Sequence, residues 1–181
     1  MDRVTSKVIN IKSELLCRSA EDDFFYFNKI LSAYKKLKEA VMLTPYHLKS
    51  VILLADVAFI KGNIKKALEL YLRAEKINKV NVKVLASIAN CFFVSEDYSK
   101  ALMYCNKAIS NFNTQNYALF SQVFEMKINI LTAQKDYAQA YKTWQNAEKM
   151  FGGSFLNVNY KILNEKINLQ KKLQKSNLKI V

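Results

Sequence analysis

The side chains that could act on another molecule fall into rows along this chain. Phe25, Phe59 and Phe93 are separated by 34 and 34 residues. Asp22, Asp56 and Asn90 keep the same steps, and Asn129 follows at 39. Lys49 and Lys83 form a further pair at 34. Flat apolar faces, short carboxylate or amide groups and ammonium groups are the equipment of recognition. The equipment of catalysis is not assembled. His47 is the one histidine and sits beside Pro45 and Tyr46, where a structural or solvent-facing role is expected. One His and three dispersed cysteines, Cys17, Cys91 and Cys105, do not make a metal site by spacing. No G-x-S-x-G, P-loop or G-x-G-x-x-G occurs. Glu21, Asp22 and Asp23 run together, but adjacent helix residues point to different faces, so they are not a catalytic pair. No catalytic, metal or cofactor role is assigned, no cofactor is expected, and the chain is read as a non-enzyme.

The rows need elements that repeat with the same period. Those elements are marked by alanine. Ala33-Leu37-Ala40, Ala67-Tyr71-Ala74, Ala101-Cys105-Ala108 and Ala140-Trp144-Ala147 share the spacing i, i+4, i+7, and begin in steps of 34, 34 and 39. Eight of the 16 alanines fill the eight outer slots. Residues so spaced lie on one helix face. Small groups at both ends let a neighbouring helix approach, and the bulky centre fills the gap to native density. Gly is scarce at 3 and Pro at 1, which suits long helices joined by short turns. The cysteines lie on apolar stripes and read as buried, reduced thiols.

A repeat of 34 residues is the period of the tetratricopeptide repeat, a pair of antiparallel helices. The turns add to this. "KGNIKKA" puts Gly62 five residues before Ala67, "SEDYSKA" puts Glu96 in that slot before Asp97-Tyr98, and "QKDYAQA" carries Asp136-Tyr137. Pro45 closes the first repeat. The sequence thus resembles the tetratricopeptide repeat (TPR) family over roughly 14–154. It departs from the pattern where Cys17, Val51, Leu85 and Phe124 stand for a large aromatic, and where Gly is missing from three turns. The resemblance implies an all-α superhelical solenoid in a single domain 1–181, with repeats near 14–47, 48–81, 82–115 and 121–154. The longer last step implies about five extra residues near 116–120, in the loop or the next helix. Residues 155–175 carry one wide apolar face and read as a capping helix for the open end.

The resemblance also places a binding groove on the first helix of each pair. Mapped residue by residue, it falls on Asp22, Phe25, Lys49, Asp56, Phe59, Lys83, Asn90, Phe93 and Asn129. There the Asx row would meet the main chain of an extended peptide, the Phe row would offer apolar pockets, and the lysines would take an acidic group. The competing readings are packing for the Phe row and solvation for the Asx row. A two-carboxylate clamp of the kind some relatives use on heat-shock chaperones is not expected, because its slots hold Ile52, Asp56, Lys83 and Ser87, of which Lys83 alone suits it. The function implied is a protein-interaction scaffold or adapter that holds an extended segment of a partner protein in its concave groove, an acidic segment being one option. A secretion chaperone of the type III kind is one alternative. A basic module for RNA or an anionic membrane surface is another. No small-molecule substrate is expected.

The net charge of +13 is compatible with solvated helix faces, an acidic partner, a membrane surface or nucleic acid. Lys161, Lys166, Lys171, Lys172, Lys175 and Lys179 concentrate it near the C-terminus against Glu165. The first residues carry no apolar signal region, and no window reaches the ~18 apolar residues of a membrane span. A cytoplasmic location is expected, in keeping with the unpaired cysteines.

Overall fold

The computed structural model describes residues 3–111, 117–151 and 168. Among the described residues there are eight α-helices and no strand. They are α1 (Arg3–Glu21), α2 (Ile30–Leu43), α3 (Leu48–Ile60), α4 (Ile64–Ile77), α5 (Val82–Val94), α6 (Tyr98–Ile109), α7 (Tyr117–Ala133) and α8 (Tyr137–Phe151). A π-helical turn, Asp22–Tyr26, follows α1 directly. The chain forms two compact units, one through Ser95 and one from Glu96. In the first, α1 packs on α2, α2 on α3, α3 on α4 and α4 on α5; in the second, α6 packs on α7 and α7 on α8.

The alanine triads carry this packing. Ala33, Ala40, Ala67, Ala74, Ala101, Ala108, Ala140 and Ala147 are all at 0% exposure. Their central partners Leu37, Tyr71 and Cys105 are buried, and Trp144 is half-buried. Cys17, Val51, Leu85 and Phe124, the slots lacking the usual aromatic, are buried too. Ile128, Leu131 and Ala140 form a core in the second unit, with Leu102, Tyr137, Tyr141 and Trp144 packed against it. The 39-residue step is visible in α7, which has 17 residues where α3 and α5 have 13. About one turn is therefore added to the helix. All three cysteines are free and buried; burial pushes the Cys91 and Cys105 thiols up to about 12.

The turns within the helix pairs share one backbone device. Asn28, Gly62, Glu96 and Lys135 have φ of 50, 77, 60 and 61°. They stand five residues before Ala33, Ala67, Ala101 and Ala140, so the left-handed turn recurs whether or not glycine occupies it. Asn tolerates this region better than most residues, whereas Glu and Lys are strained by ~1–2 kcal/mol. Lys135→Gly is expected to raise stability by about 0.5–1 kcal/mol, the relief of strain less glycine's extra unfolded-state entropy. Urea unfolding measures this, and a loss of stability would contradict the strained turn. Asn63, Asp97 and Asp136 next accept from the backbone N–H of Lys66, Lys100 and Gln139 at 3.1, 3.2 and 3.1 Å. They cap α4, α6 and α8, which explains the acid before the aromatic at Asp97-Tyr98 and Asp136-Tyr137.

The expected capping helix 155–175 and the lysine-rich end lie outside the described residues, apart from residue 168. Among the described residues, no helix is long and apolar enough to cross a membrane.

Candidate functional site

Four of the sequence-predicted side chains meet in the first unit. A groove with a volume of about 500 Å³ is lined by Phe25, Lys49, Asp56 and Lys83, together with Glu21, His47, Leu48, Ile52, Leu53 and Asn81. Its walls come from the end of α1 with its π-helical turn, from α3 and from the start of α5. The repeat spacing does this: Lys49 opens α3 as Lys83 opens α5, one repeat later. Phe25 stands 61% exposed at the groove's edge, and Ile52 supplies a buried apolar floor.

The charges in this groove are arranged in pairs. Lys49 Nζ lies 2.7 Å from Glu21 Oε2, and Lys83 Nζ lies 2.9 Å from Asp56 Oδ2. The other Asp56 oxygen, Oδ1, accepts from Tyr71 Oη at 2.6 Å. Asp56 is mostly buried at 15% side-chain exposure, while both lysines are about half exposed, at 52 and 53%. Each acid therefore holds one ammonium group in place, and each half-exposed ammonium keeps further protons for a second acceptor. The Glu21 hydrogen bond pushes the Lys49 ammonium up from its ordinary value.

Tyr71 is the least exposed polar member of this network, at 3%. Its phenol is raised far above the usual tyrosine range, first by burial and then by the Asp56 charge. The unfolded chain releases this proton near pH ~10 while the folded chain keeps it, so Tyr71 draws stability down as pH rises above ~10 and leaves it unaffected below. Tyr71→Phe is expected to cost about 1.5–3 kcal/mol at neutral pH and to make the alkaline fall shallower. Urea unfolding across that range measures both, and parallel alkaline slopes for the two proteins would sink the assignment.

No family model matches the sequence, and no curated protein matches it. Solved structures do. MamA is 17% identical over 76% of this chain and 77% of its own, with a TM-score of 0.69. The type III secretion chaperone SycD of Yersinia enterocolitica, solved with a peptide of the translocator YopD, is 16% identical over 67% of this chain and 93% of its own, at 0.63. YrrB, a TPR protein with an unusual peptide-binding site, is 14% identical over 74% of this chain and 66% of its own, at 0.63. The chain has the TPR fold.

Within that TPR fold the remaining predicted residues are placed as follows. Asp22 is exposed on the π-helical turn. Phe59 is half-buried on α3, and Asn90 and Phe93 are half-buried on α5. They do not line the groove of Lys49 and Lys83. Asn129 is exposed on α7, in the second unit. The Phe row thus spans unlike environments, because the π-helical turn carries Phe25 outward. Sequence reasoning missed Glu21 and Tyr71 as members of the network. The signal for Tyr71 was its place at the centre of a TPR triad, where a hydroxyl extends past the methyl contacts. His47 is held at both ring nitrogens, Nδ1 by Ser50 Oγ at 2.7 Å and Nε2 by Glu14 at 3.2 Å. No group of three or more His, Cys, Asp or Glu side chains is placed to hold a metal ion among the described residues.

Proposed function

We propose that this chain is a non-enzymatic protein-interaction scaffold, binding an extended, acidic segment of a partner protein in the groove of its first unit. The observation that carries this is the convergence of Phe25, Lys49, Asp56 and Lys83, drawn from three successive repeats, around one cavity. Asp56 acts chiefly by holding Lys83, since its oxygens already serve Tyr71 and Lys83. Each lysine keeps unshared protons for a carboxylate of the partner, and Phe25 with Ile52 receives an apolar side chain beside it. Asp22, Phe59, Asn90 and Phe93, in the same unit, extend the surface available to a longer segment. A cytoplasmic setting suits the three free thiols.

The test is selection from a random peptide library on the full-length protein. Enriched sequences should pair an acidic residue with an aromatic or large aliphatic one, and Phe25→Asp should abolish their binding. Recovery of no peptides, or of peptides indifferent to Phe25→Asp, would overturn the proposal.

A second reading, a chaperone for a secreted client, is supported by SycD, 93% of whose length is matched. In that case the selected peptides would be predominantly apolar and their binding would resist salt. Binding of RNA or anionic lipid would instead fall steeply with salt and depend on 157–181.

A further inference from the structure

α1 presents two faces to different surroundings. Ser13, Cys17 and Ala20 are buried, and Ser13 Oγ donates to the Ala40 carbonyl of α2 at 3.1 Å. On the opposite face Val4, Val8, Ile11 and Leu15 are 71, 58, 51 and 60% exposed. Their steps of 4, 3 and 4 are the spacing of a two-stranded coiled-coil seam. Scattered exposed aliphatics need no explanation, but a continuous stripe of four marks an interaction surface.

We infer that this stripe pairs with the same stripe on a second copy of the chain, the two α1 helices running antiparallel about a two-fold axis between residues 9 and 10. The charges beside the seam choose both the occupant and the direction. With Val8 and Leu15 at the a positions and Val4 and Ile11 at d, the flanking g positions hold Lys7 and Glu14, and the e positions hold Thr5 and Lys12. A parallel pair sets each Lys7 against the partner's Lys12. The antiparallel pair sets each Lys7 against the partner's Glu14, twice by symmetry, while Val4 meets the partner's Leu15 and Val8 the partner's Ile11. The stripe is therefore complementary to itself in charge and in spacing, as a two-fold interface requires. Lys12 is engaged on its own chain, 2.9 Å from Glu39, and Glu14 also meets Arg18 and His47 of its own chain, at 3.1 and 3.2 Å, so the partner's Lys7 joins an existing cluster. Beside the Leu15 end lies a cavity of about 820 Å³, lined by Ile11, Glu14, Leu15, Pro45 and the 81%-exposed Tyr46 among others. The antiparallel arrangement delivers the partner's first turn, with its Val4, to that cavity.

Sedimentation of the full chain over a concentration series is the test. The apparent mass should rise from once to twice 20.9 kDa. Val8→Glu with Ile11→Glu should hold it at once that mass with unchanged helix content, because both residues are exposed. Lys7→Glu should weaken dimerisation about tenfold, and adding Glu14→Lys should restore it. For direction, Val4→Cys chains mixed with Leu15→Cys chains should cross-link, whereas Val4→Cys alone should not, as its two copies would lie ~16 Å apart along the axis. A chain that stays monomeric throughout, a dimer that survives Val8→Glu with Ile11→Glu, or cross-linking of Val4→Cys by itself would each overturn the inference.

Discussion

Leu37→Ala is expected to lower the free energy of unfolding by about 2–5 kcal/mol. Leu37 is the centre of the first alanine triad and has 0% exposure, as do Ala33 and Ala40 on either side. α2 is packed against both α1 and α3, and the alanine contacts already bring the backbones close. Little collapse can follow truncation, so the cavity stays open and the cost is at the upper part of that range. Leu37→Met conserves volume and should cost less than ~1.5 kcal/mol. Leu31→Ala, on the same helix but 67% exposed, should stay within ~0.5 kcal/mol. Urea unfolding followed by circular dichroism gives all three. Equal losses for Leu37→Ala and Leu31→Ala would contradict the packing described.

The second large effect concerns the groove. Lys49→Glu combined with Lys83→Glu should weaken an acidic peptide's affinity at least ~100-fold, which corresponds to ~2.7 kcal/mol. Each wild-type ammonium offers a charge-assisted hydrogen bond, and each substitution replaces attraction with repulsion. The new carboxylates also face Glu21 and Asp56, which sat 2.7 and 2.9 Å from the native lysines. Lys49→Gln with Lys83→Gln separates the two contributions: it removes the cations without placing like charges side by side. That variant should fold normally and bind about tenfold more weakly, since half-exposed pairs are screened by solvent. Titration calorimetry with a selected peptide measures both. Affinity unchanged in the folded Glu variant would remove the two lysines from the site.

Several features were legible in the sequence because they are properties of one helix face or one turn. The burial of all eight triad alanines follows from the i, i+4, i+7 spacing together with their small size and their recurrence along the chain. Asp97 and Asp136 cap helices where the acid-aromatic pair stands. The left-handed turn was visible at Gly62 by residue type; at Glu96 and Lys135 residue type argues against it, and at Asn28 it permits it without requiring it. The groove was half legible. Spacing brought Lys49 and Lys83 onto equivalent sites of successive repeats, and the structure places both beside Phe25 and Asp56. The bonds from Tyr71 and Lys83 to Asp56 were hidden, because they depend on the offset between helices and on side-chain reach, which no single-helix periodicity encodes. The π-helical turn at Asp22–Tyr26 was hidden as well, and it is what separates Phe25 from Phe59 and Phe93 in environment.

The nesting of helices through alanine is tested most directly by thiol labelling of cysteine substitutions under native conditions. Ala33→Cys, Ala67→Cys, Ala101→Cys and Ala140→Cys should resist alkylation in the folded protein, together with the native Cys17, Cys91 and Cys105, all at 0% exposure. Ala138→Cys, two residues from a triad site but exposed, should react freely. Modification of the four triad cysteines as fast as Ala138→Cys, counted by mass spectrometry before unfolding, would contradict the fold and the groove built on it.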